Sequence, residues 1–126
     1  MPIQGGGGRG KSILIVEDDP DLVECLRSLL EEEGYAVAMA ADGEAALAEA
    51  DRARPGIALI DLHLPGALTG ARLVEALREH LPPSARLLLI TGERDVLRHA
   101  EEMGVDGFLE KPFAVDELLR VVEKQT

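Results

Sequence analysis

The sequence predicts an α/β fold in which one parallel sheet of five strands is covered by helices on both faces. Short apolar runs alternate five times with segments of helical periodicity, and the connections are short. This alternation is typical of right-handed βαβ units. The apolar runs at 57–60, 87–90 and 107–109 are nearly continuous, as burial of a strand on both faces requires. A length of 126 residues is enough for one such domain and too short for a second.

The carboxyl ends of the predicted strands carry an unusual set of polar residues. We predict strands at 12–16, 35–40, 57–61, 87–91 and 107–110. Four of them end at or beside residues that metal and phosphate chemistry can use, namely Glu17-Asp18, Asp61, Thr91 and Lys111. Ligands of open parallel sheets bind in the crevice at the carboxyl ends of the strands. We therefore expect these side chains to surround one point.

Capping residues indicate where the helices begin and end. Asp19 is suited to the N-cap of the first helix, with Pro20 at its first position, and Gly34 is a typical C-terminal stop. Asp42 can cap a short Ala-rich second helix, and the third helix must end before Pro82. Apolar residues recur at helical spacing in the first, third, fourth and fifth helices: Leu22, Val23, Leu26, Leu29 and Leu30; Leu73, Val74 and Leu77; Val96, Leu97, Ala100 and Met103; Val115, Leu118, Leu119 and Val122.

Composition excludes several classes of protein. With two Phe and one Tyr, the core must be aliphatic. The chain has neither a membrane-length apolar run of about 20 residues nor a secretory signal, so we expect a soluble cytoplasmic protein. A net charge of −11 argues against binding of nucleic acid and suits a divalent metal or a basic partner. Cys25 is the single cysteine, which excludes an intrachain disulfide; we expect it in the core or at its flank.

The N-terminus contains a misleading motif. The segment from Gly5 to Ser12 matches the P-loop pattern, but a P-loop follows a strand and precedes a helix, so that helix N–H groups face the phosphate. Here only four residues precede the motif and an apolar strand follows it. We interpret residues 1–10 as a flexible Gly-rich tail, and residues 11–126 as the folded domain.

The three acids at the strand ends require a cation. Each close pair among Glu17, Asp18 and Asp61 costs on the order of 4 kcal/mol at an effective dielectric of about 20. A site with oxygen ligands alone suits Mg²⁺, with Mn²⁺ as the alternative. Such a metal can bridge a carboxylate and an incoming phosphoryl group. The residues alone therefore indicate phosphoryl-transfer chemistry.

Four segments in register resemble the receiver domain of bacterial two-component response regulators. These are residues 13–20, Asp61 to Gly66, Thr91-Gly92 and Lys111-Pro112-Phe113, and the resemblance extends over about residues 11–124. It implies a doubly wound, flavodoxin-like sheet with strand order 2-1-3-4-5. It also implies a phosphoacceptor signalling domain that catalyses only its own phosphorylation and dephosphorylation.

The resemblance implies a role for each site residue. Asp61 is the nucleophile that becomes an acyl phosphate, and Asp18 is a direct metal ligand. Glu17 acts through metal-bound water, and the backbone carbonyl of His63 completes the coordination. Lys111 pairs with Asp61 at rest and with the phosphoryl group afterwards, aided by a cis Lys111–Pro112 bond.

The resemblance also implies a switch and partners. Thr91 gives a hydroxyl to the phosphoryl group, and Phe108 takes the position of an aromatic switch, although a fixed core role for Phe108 stays equally open. The expected phosphodonor is a sensor histidine kinase or a histidine phosphotransfer protein. The output partner is expected on the face of the fourth helix, fifth strand and last helix, with Arg94, Arg98 and Glu117. The chain is expected to be a monomer or a phosphorylation-linked dimer.

Two alternative functions compete with this interpretation, and one loop departs from the usual pattern of the family. An Mg²⁺-dependent phosphatase of the haloacid dehalogenase type also uses an Asp nucleophile, but there the nucleophile follows the first strand. A degenerate receiver acting as a scaffold is disfavoured by the full acceptor set. The loop from Gly66 to Thr69 is one residue longer than the usual family loop, and Thr69 replaces the acid that often precedes Gly70.

Overall fold

The computed structural model describes residues 11–92 and 96–126. The tail, the P-loop-like segment from Gly5 to Gly10, and Arg94 lie outside the described residues, as do the side chains of Val96 and Leu97.

Five parallel strands form one sheet in the order β2-β1-β3-β4-β5. The strands are β1 (Ser12–Val16), β2 (Ala36–Ala40), β3 (Ile57–Asp61), β4 (Arg86–Thr91) and β5 (Gly107–Glu110). The predicted strand order is confirmed, and each strand boundary lies within one residue of its predicted position. This is the doubly wound arrangement in which the strand order reverses beside β1.

Five helices connect and follow the strands. They are α1 (Pro20–Glu32), α2 (Gly43–Ala53), α3 (Gly70–His80), α4 (Val96–Met103) and α5 (Val115–Glu123). The predicted caps are confirmed: the Asp19 carboxylate accepts the N–H groups of Asp21 and Leu22, and the Asp42 carboxylate accepts the Ala45 N–H at 2.8 Å. Gly34 takes a φ of 98° after α1, a conformation that residues with a Cβ avoid.

Two apolar clusters cover the two faces of the sheet. Alternate strand residues such as Leu14, Ala58 and Leu89 pack with α2, α3 and α4 on one face. Their neighbours, among them Leu59 and Leu88, pack with α1 and α5 on the other. Burial on both faces explains the nearly continuous apolar runs.

Backbone hydrogen bonds continue past the strands at the carboxyl edge of the sheet. Glu17 N–H donates to the Ala40 carbonyl at 3.0 Å, and Lys111 N–H donates to the Thr91 carbonyl at 2.7 Å. Leu62, directly after Asp61, donates its N–H to the Ile90 carbonyl at 3.1 Å. The residues that flank the predicted site are thus held by the sheet itself.

Of the two positions expected for Cys25, the core or its flank, the structure excludes the core. Its side chain is exposed and lines an apolar groove of about 500 Å³ between α1 and the start of α5, with Leu22, Leu29 and Phe113. The apolar stripe of α1 is wider than the buried core needs, so its edge remains at the surface. Among the described residues, none of the helices combines the length and apolarity that a bilayer crossing would demand.

Candidate functional site

Three carboxylates meet at the carboxyl edge of the sheet. Glu17, Asp18 and Asp61 each offer an oxygen atom, and these oxygens lie within 4.8 Å of one another. Glu17 and Asp61 are buried, with 2% and 5% of their surfaces exposed, whereas Asp18 is exposed. The convergence follows from topology, because β1 and β3 are adjacent parallel strands and end at the same edge.

Lys111 reaches this acidic group from the loop after β5. Its Nζ lies 2.9 Å from Glu17 Oε1 and 3.4 Å from Asp61 Oδ2. The Lys111–Pro112 bond is cis, as the resemblance implied. The sequence interpretation paired Lys111 with Asp61 alone, but Glu17 is the nearer partner. Nothing in the motif indicates this, because side-chain reach depends on the backbone positions of three separate loops.

Both oxygens of Glu17 accept hydrogen bonds from the protein. Oε1 accepts from Lys111, and Oε2 accepts the Asp19 N–H at 3.1 Å. Burial raises the pKa of Glu17; the bonds from Lys111 and Asp19 oppose this rise, and the charge of Asp61 adds to it. Glu17 is therefore a restrained, partly desolvated carboxylate.

The environment of Lys111 favours its charged form. Burial alone would lower the pKa of its ammonium group, but the hydrogen bond to Glu17 and the charges of Asp61 and Glu17 together outweigh burial and raise the pKa. The compact ammonium on a flexible stem can move between these acceptors. A charged donor therefore faces Asp61.

Asp61 is held at both oxygens. Oδ1 accepts the N–H of His63 at 3.0 Å, while Oδ2 faces Lys111. The side chain of His63 is exposed, and its backbone N–H links it to the Asp61 carboxylate. These two bonds orient the Asp61 carboxylate toward the acidic group.

The residues present fit a hard divalent cation. Three ionised carboxylates and one ammonium have a formal charge of −2, which one divalent ion would neutralise. The donors are oxygen atoms, and one of the acids is open to solvent, which suits an ion such as Mg²⁺ that retains several waters. A soft metal would require thiolate or imidazole ligands, and the described part of the site offers neither.

The two predicted switch residues lie on the neighbouring strands. Thr91 is fully buried at the end of β4, and it is in register with Glu110 of β5. Phe108 is half-buried and packs against the cluster that includes Ala100 of α4. This position suits either a fixed core residue or a moving one, so the switch role of Phe108 stays a prediction.

Thr69 has a contact that the sequence interpretation did not foresee. Its hydroxyl accepts the Leu64 N–H at 3.2 Å and donates to the Leu62 carbonyl at 3.3 Å. It thereby brackets His63 in the loop that follows Asp61. The one signal in the sequence was the departure from the family pattern at Thr69.

Comparison with known proteins decides the family. A family model described as the response regulator receiver domain matches residues 13–123. The chain belongs to the response regulator receiver domain family. The resemblance seen in the sequence is thus confirmed, and this receiver domain is a signalling domain; the phosphatase alternative finds no support in the comparisons.

Individual relatives agree with this assignment. The receiver domain is 36% identical over 116 residues to the nitrogen assimilation regulatory protein NtrX of Azorhizobium caulinodans, covering 89% of this chain and 25% of NtrX. It is 30% identical to sporulation initiation phosphotransferase F of Bacillus subtilis, covering 90% of this chain and 92% of the relative. The chain spans under half of the length of NtrX and of other curated relatives that it matches.

A solved structure supports the fold. The receiver domain of a sensor histidine kinase from Pseudomonas aeruginosa PAO1 superposes with a TM-score of 0.79 at 28% identity, covering 92% of this chain and 97% of that one. That structure has a magnesium ion coordinated in its active-site cleft.

Proposed function

We propose that this receiver domain accepts a phosphoryl group from a phosphohistidine onto Asp61. The carboxylate oxygen attacks phosphorus, the P–N bond of the donor breaks, and an acyl phosphate forms. The observation that carries the proposal is the placement of the buried Asp61 carboxylate within the acidic group, 3.4 Å from the Lys111 ammonium. Family membership supports it independently.

An Mg²⁺ ion, with Mn²⁺ as the alternative, would be held by Asp18, Asp61 and the backbone carbonyl of His63. Glu17 would act through the water shell of the ion. When bound, the ion supplies charge neutralisation for the transferring phosphoryl group. The similar receiver domain from Pseudomonas aeruginosa, which has a magnesium ion in its active-site cleft, supports the choice of metal. The exposed position of Asp18 leaves room for an ion with much of its water shell.

The remaining side chains stabilise the negative charge of the phosphoryl group. Lys111 releases part of its contact with Asp61 and pairs with a phosphoryl oxygen, while Glu17 keeps the ammonium at the site. Thr91 provides a hydroxyl from the adjacent strand. Together they replace solvent by fixed donors, which is how most phosphoryl-transfer sites stabilise the reaction.

Phosphorylation of Asp61 would shift a pre-existing equilibrium between two conformations of the domain. Movement of Thr91 and Phe108 would alter the face formed by α4, β5 and α5, which we propose as the output surface. Arg98 and Glu117 are exposed there, although Glu117 already accepts the Ala114 N–H at 2.9 Å as a cap of α5. Chemical-shift changes at this face on phosphorylation would support the surface; changes limited to α1 and α2 would contradict it.

The donor is proposed to be a sensor histidine kinase or a phosphotransfer protein in the cytoplasm, and the output partner a protein. We propose a monomer or a phosphorylation-linked dimer, and no catalysis beyond the domain's own phosphorylation and dephosphorylation. Its acidic charge of −11 disfavours direct binding of nucleic acid.

Intact-mass spectrometry after incubation with acetyl phosphate and Mg²⁺ tests the acceptor. We expect the mass of one phosphoryl group in the wild type, none in Asp61→Asn and none with excess chelator. Asp51→Asn, a change of the same kind at an exposed acid of α2, is the matched control and should be modified normally. Modification of Asp61→Asn at the wild-type level would contradict the proposal.

The same reaction separates a receiver from a phosphatase. A receiver domain consumes about one equivalent of acetyl phosphate and then only as fast as its own acyl phosphate hydrolyses. Rapid turnover of many equivalents of acetyl phosphate would favour the enzyme instead.

A further inference from the structure

The loop after Asp61 is closed by one side chain. It runs from Leu62 to Thr69, between the end of β3 and the start of α3. The Thr69 hydroxyl bonds to two backbone groups of this loop, as acceptor from Leu64 N–H at 3.2 Å and as donor to the Leu62 carbonyl at 3.3 Å. His63 lies between these two residues.

The bracketed segment is fixed on both sides. Leu62 and Leu64 are buried, with 7% and 8% of their surfaces exposed, and Leu62 N–H is bonded to the Ile90 carbonyl. His63 N–H in turn donates to Asp61 Oδ1 at 3.0 Å. The Thr69 hydroxyl, the Leu62–Leu64 backbone and the acceptor carboxylate therefore form one connected set of hydrogen bonds.

We propose that Thr69 is a positioning residue for the cation site, acting through the backbone of His63. This inference rests on the proposed function, because the His63 carbonyl is the proposed ligand and Asp61 the proposed acceptor. Groups that orient metal ligands typically change metal affinity by about tenfold or more when they are removed. The two hydrogen bonds of the Thr69 hydroxyl go to the loop backbone, so the proposed effect passes through the loop.

The chemistry of the hydroxyl explains why threonine suits this position. A hydroxyl group donates and accepts at the same time, whereas an ionised carboxylate only accepts. The acid that often occupies this position in the family could bind the Leu64 N–H but could not donate to the Leu62 carbonyl. The longer loop of this chain is thus closed by a residue that can serve both of its backbone groups.

Titration with MgCl₂, followed by amide chemical shifts, tests the inference. We expect Thr69→Val, which keeps the shape and removes the hydroxyl, to raise the Kd for Mg²⁺ by about tenfold, and Thr69→Ser to stay within about twofold of wild type. Thr126→Val is the matched control, since it removes a hydroxyl that bonds to Glu123 far from the site. Unchanged affinity in Thr69→Val, or equal losses in the Val and Ser variants, would overturn the proposal.

A measurement on the wild-type protein tests the proposal even if Thr69→Val does not fold. Linkage is reciprocal: if the closed loop favours Mg²⁺, then Mg²⁺ favours the closed loop. Saturating Mg²⁺ should therefore slow hydrogen exchange of the Leu64 amide by about tenfold, the same factor as the expected change in affinity. An exchange rate of Leu64 that does not respond to bound Mg²⁺ would overturn the proposal.

The outcomes also distinguish this inference from the proposed function. Failure of the wild type to bind Mg²⁺ would remove the proposed function, and the role of Thr69 with it. Normal binding in the wild type together with normal binding in Thr69→Val would remove the role of Thr69 alone.

Discussion

At the scale of single residues, Lys111 illustrates how one ammonium group contacts two acids from different strands. The Glu17 carboxylate lies 2.9 Å from Lys111 Nζ, and the Asp61 carboxylate lies 3.4 Å from it. Lys111 is thus shared between the two acids. In the proposed reaction, the contact with Glu17 would keep the ammonium at the site while Asp61 is modified.

Tyr35 provides a direct test of burial at one residue. Its side chain is 6% exposed, and burial raises the pKa of its phenol above 10.0, opposed by a hydrogen bond with Thr126 and aided by the charges of Glu123 and Glu33. Because Tyr35 is the only tyrosine and there is no tryptophan, ultraviolet titration reports it alone. We expect the midpoint in the folded protein to lie above that in urea; a midpoint at or below the unfolded value would contradict this.

The same shift has a consequence for stability. A phenol with a raised pKa binds its proton more tightly in the folded state than in the unfolded state. Its contribution to the free energy of unfolding is therefore full below a pH of about 10, and it is lost as the pH rises through the pKa of the folded state. The free energy of unfolding should therefore fall with pH in this range more steeply in the wild type than in Tyr35→Phe. Urea denaturation at several pH values measures both slopes.

At the scale of elements, the loop after β3 packs on the first residue of α2. A Cβ built on Gly43 would lie 2.2 Å from the Leu68 carbonyl oxygen and 2.9 Å from Leu68 Cβ. Glycine is therefore needed here for a close approach between a helix and a loop. The contact secures the distal part of the same loop that Thr69 closes beside Asp61.

Gly43→Ala should destabilise the protein by about 1–3 kcal/mol, the usual cost of overpacking. This is the reverse of what helix propensity predicts, since Ala is better than Gly inside a helix by about 1 kcal/mol. Urea denaturation measures the change. Gly56→Ala is the control: its added Cβ would meet only the Ser12 carbonyl oxygen at 3.9 Å, so we expect a change within about 0.5 kcal/mol. A more stable Gly43→Ala protein would refute the close contact.

At the scale of the whole molecule, the sheet separates two mainly aliphatic clusters, and among the described residues no side chain belongs to both. Adjacent residues of β4 serve different clusters, Leu89 on the face of α2 and α3 and Leu88 on the face of α1 and α5. Both are fully buried. The carboxyl edge of the sheet, where the site lies, is therefore supported from both sides.

Leu88→Ala and Leu89→Ala should each cost about 2–5 kcal/mol, since both leave a cavity in a packed cluster. Met39→Ala, at a position that is 41% exposed in an edge strand, should change the unfolding free energy by only about 0.5 kcal/mol. Thermal or urea unfolding compares the three variants. If either leucine variant lost no more unfolding free energy than Met39→Ala, the corresponding face of the sheet would not be covered by helices.

The order of elements, the family and the neighbourhood of the site could be predicted from the sequence. Each depends on local or periodic signals: apolar runs that mark strands, Asp19 and Asp42 that cap helices, and polar residues that follow the strands. In a parallel α/β sheet these signals suffice to bring Glu17, Asp18 and Asp61 to one edge, because topology alone places the strand ends together.

Other features were decided only by the tertiary structure. The nearer partner of Lys111, the bridging hydroxyl of Thr69, the contact of Gly43 with Leu68 and the exposure of Cys25 all depend on distances of a few ångströms between segments far apart in the chain. The physical reason is that periodicity and capping specify which face a residue occupies, while the path of each loop and the packing between elements determine which atoms meet.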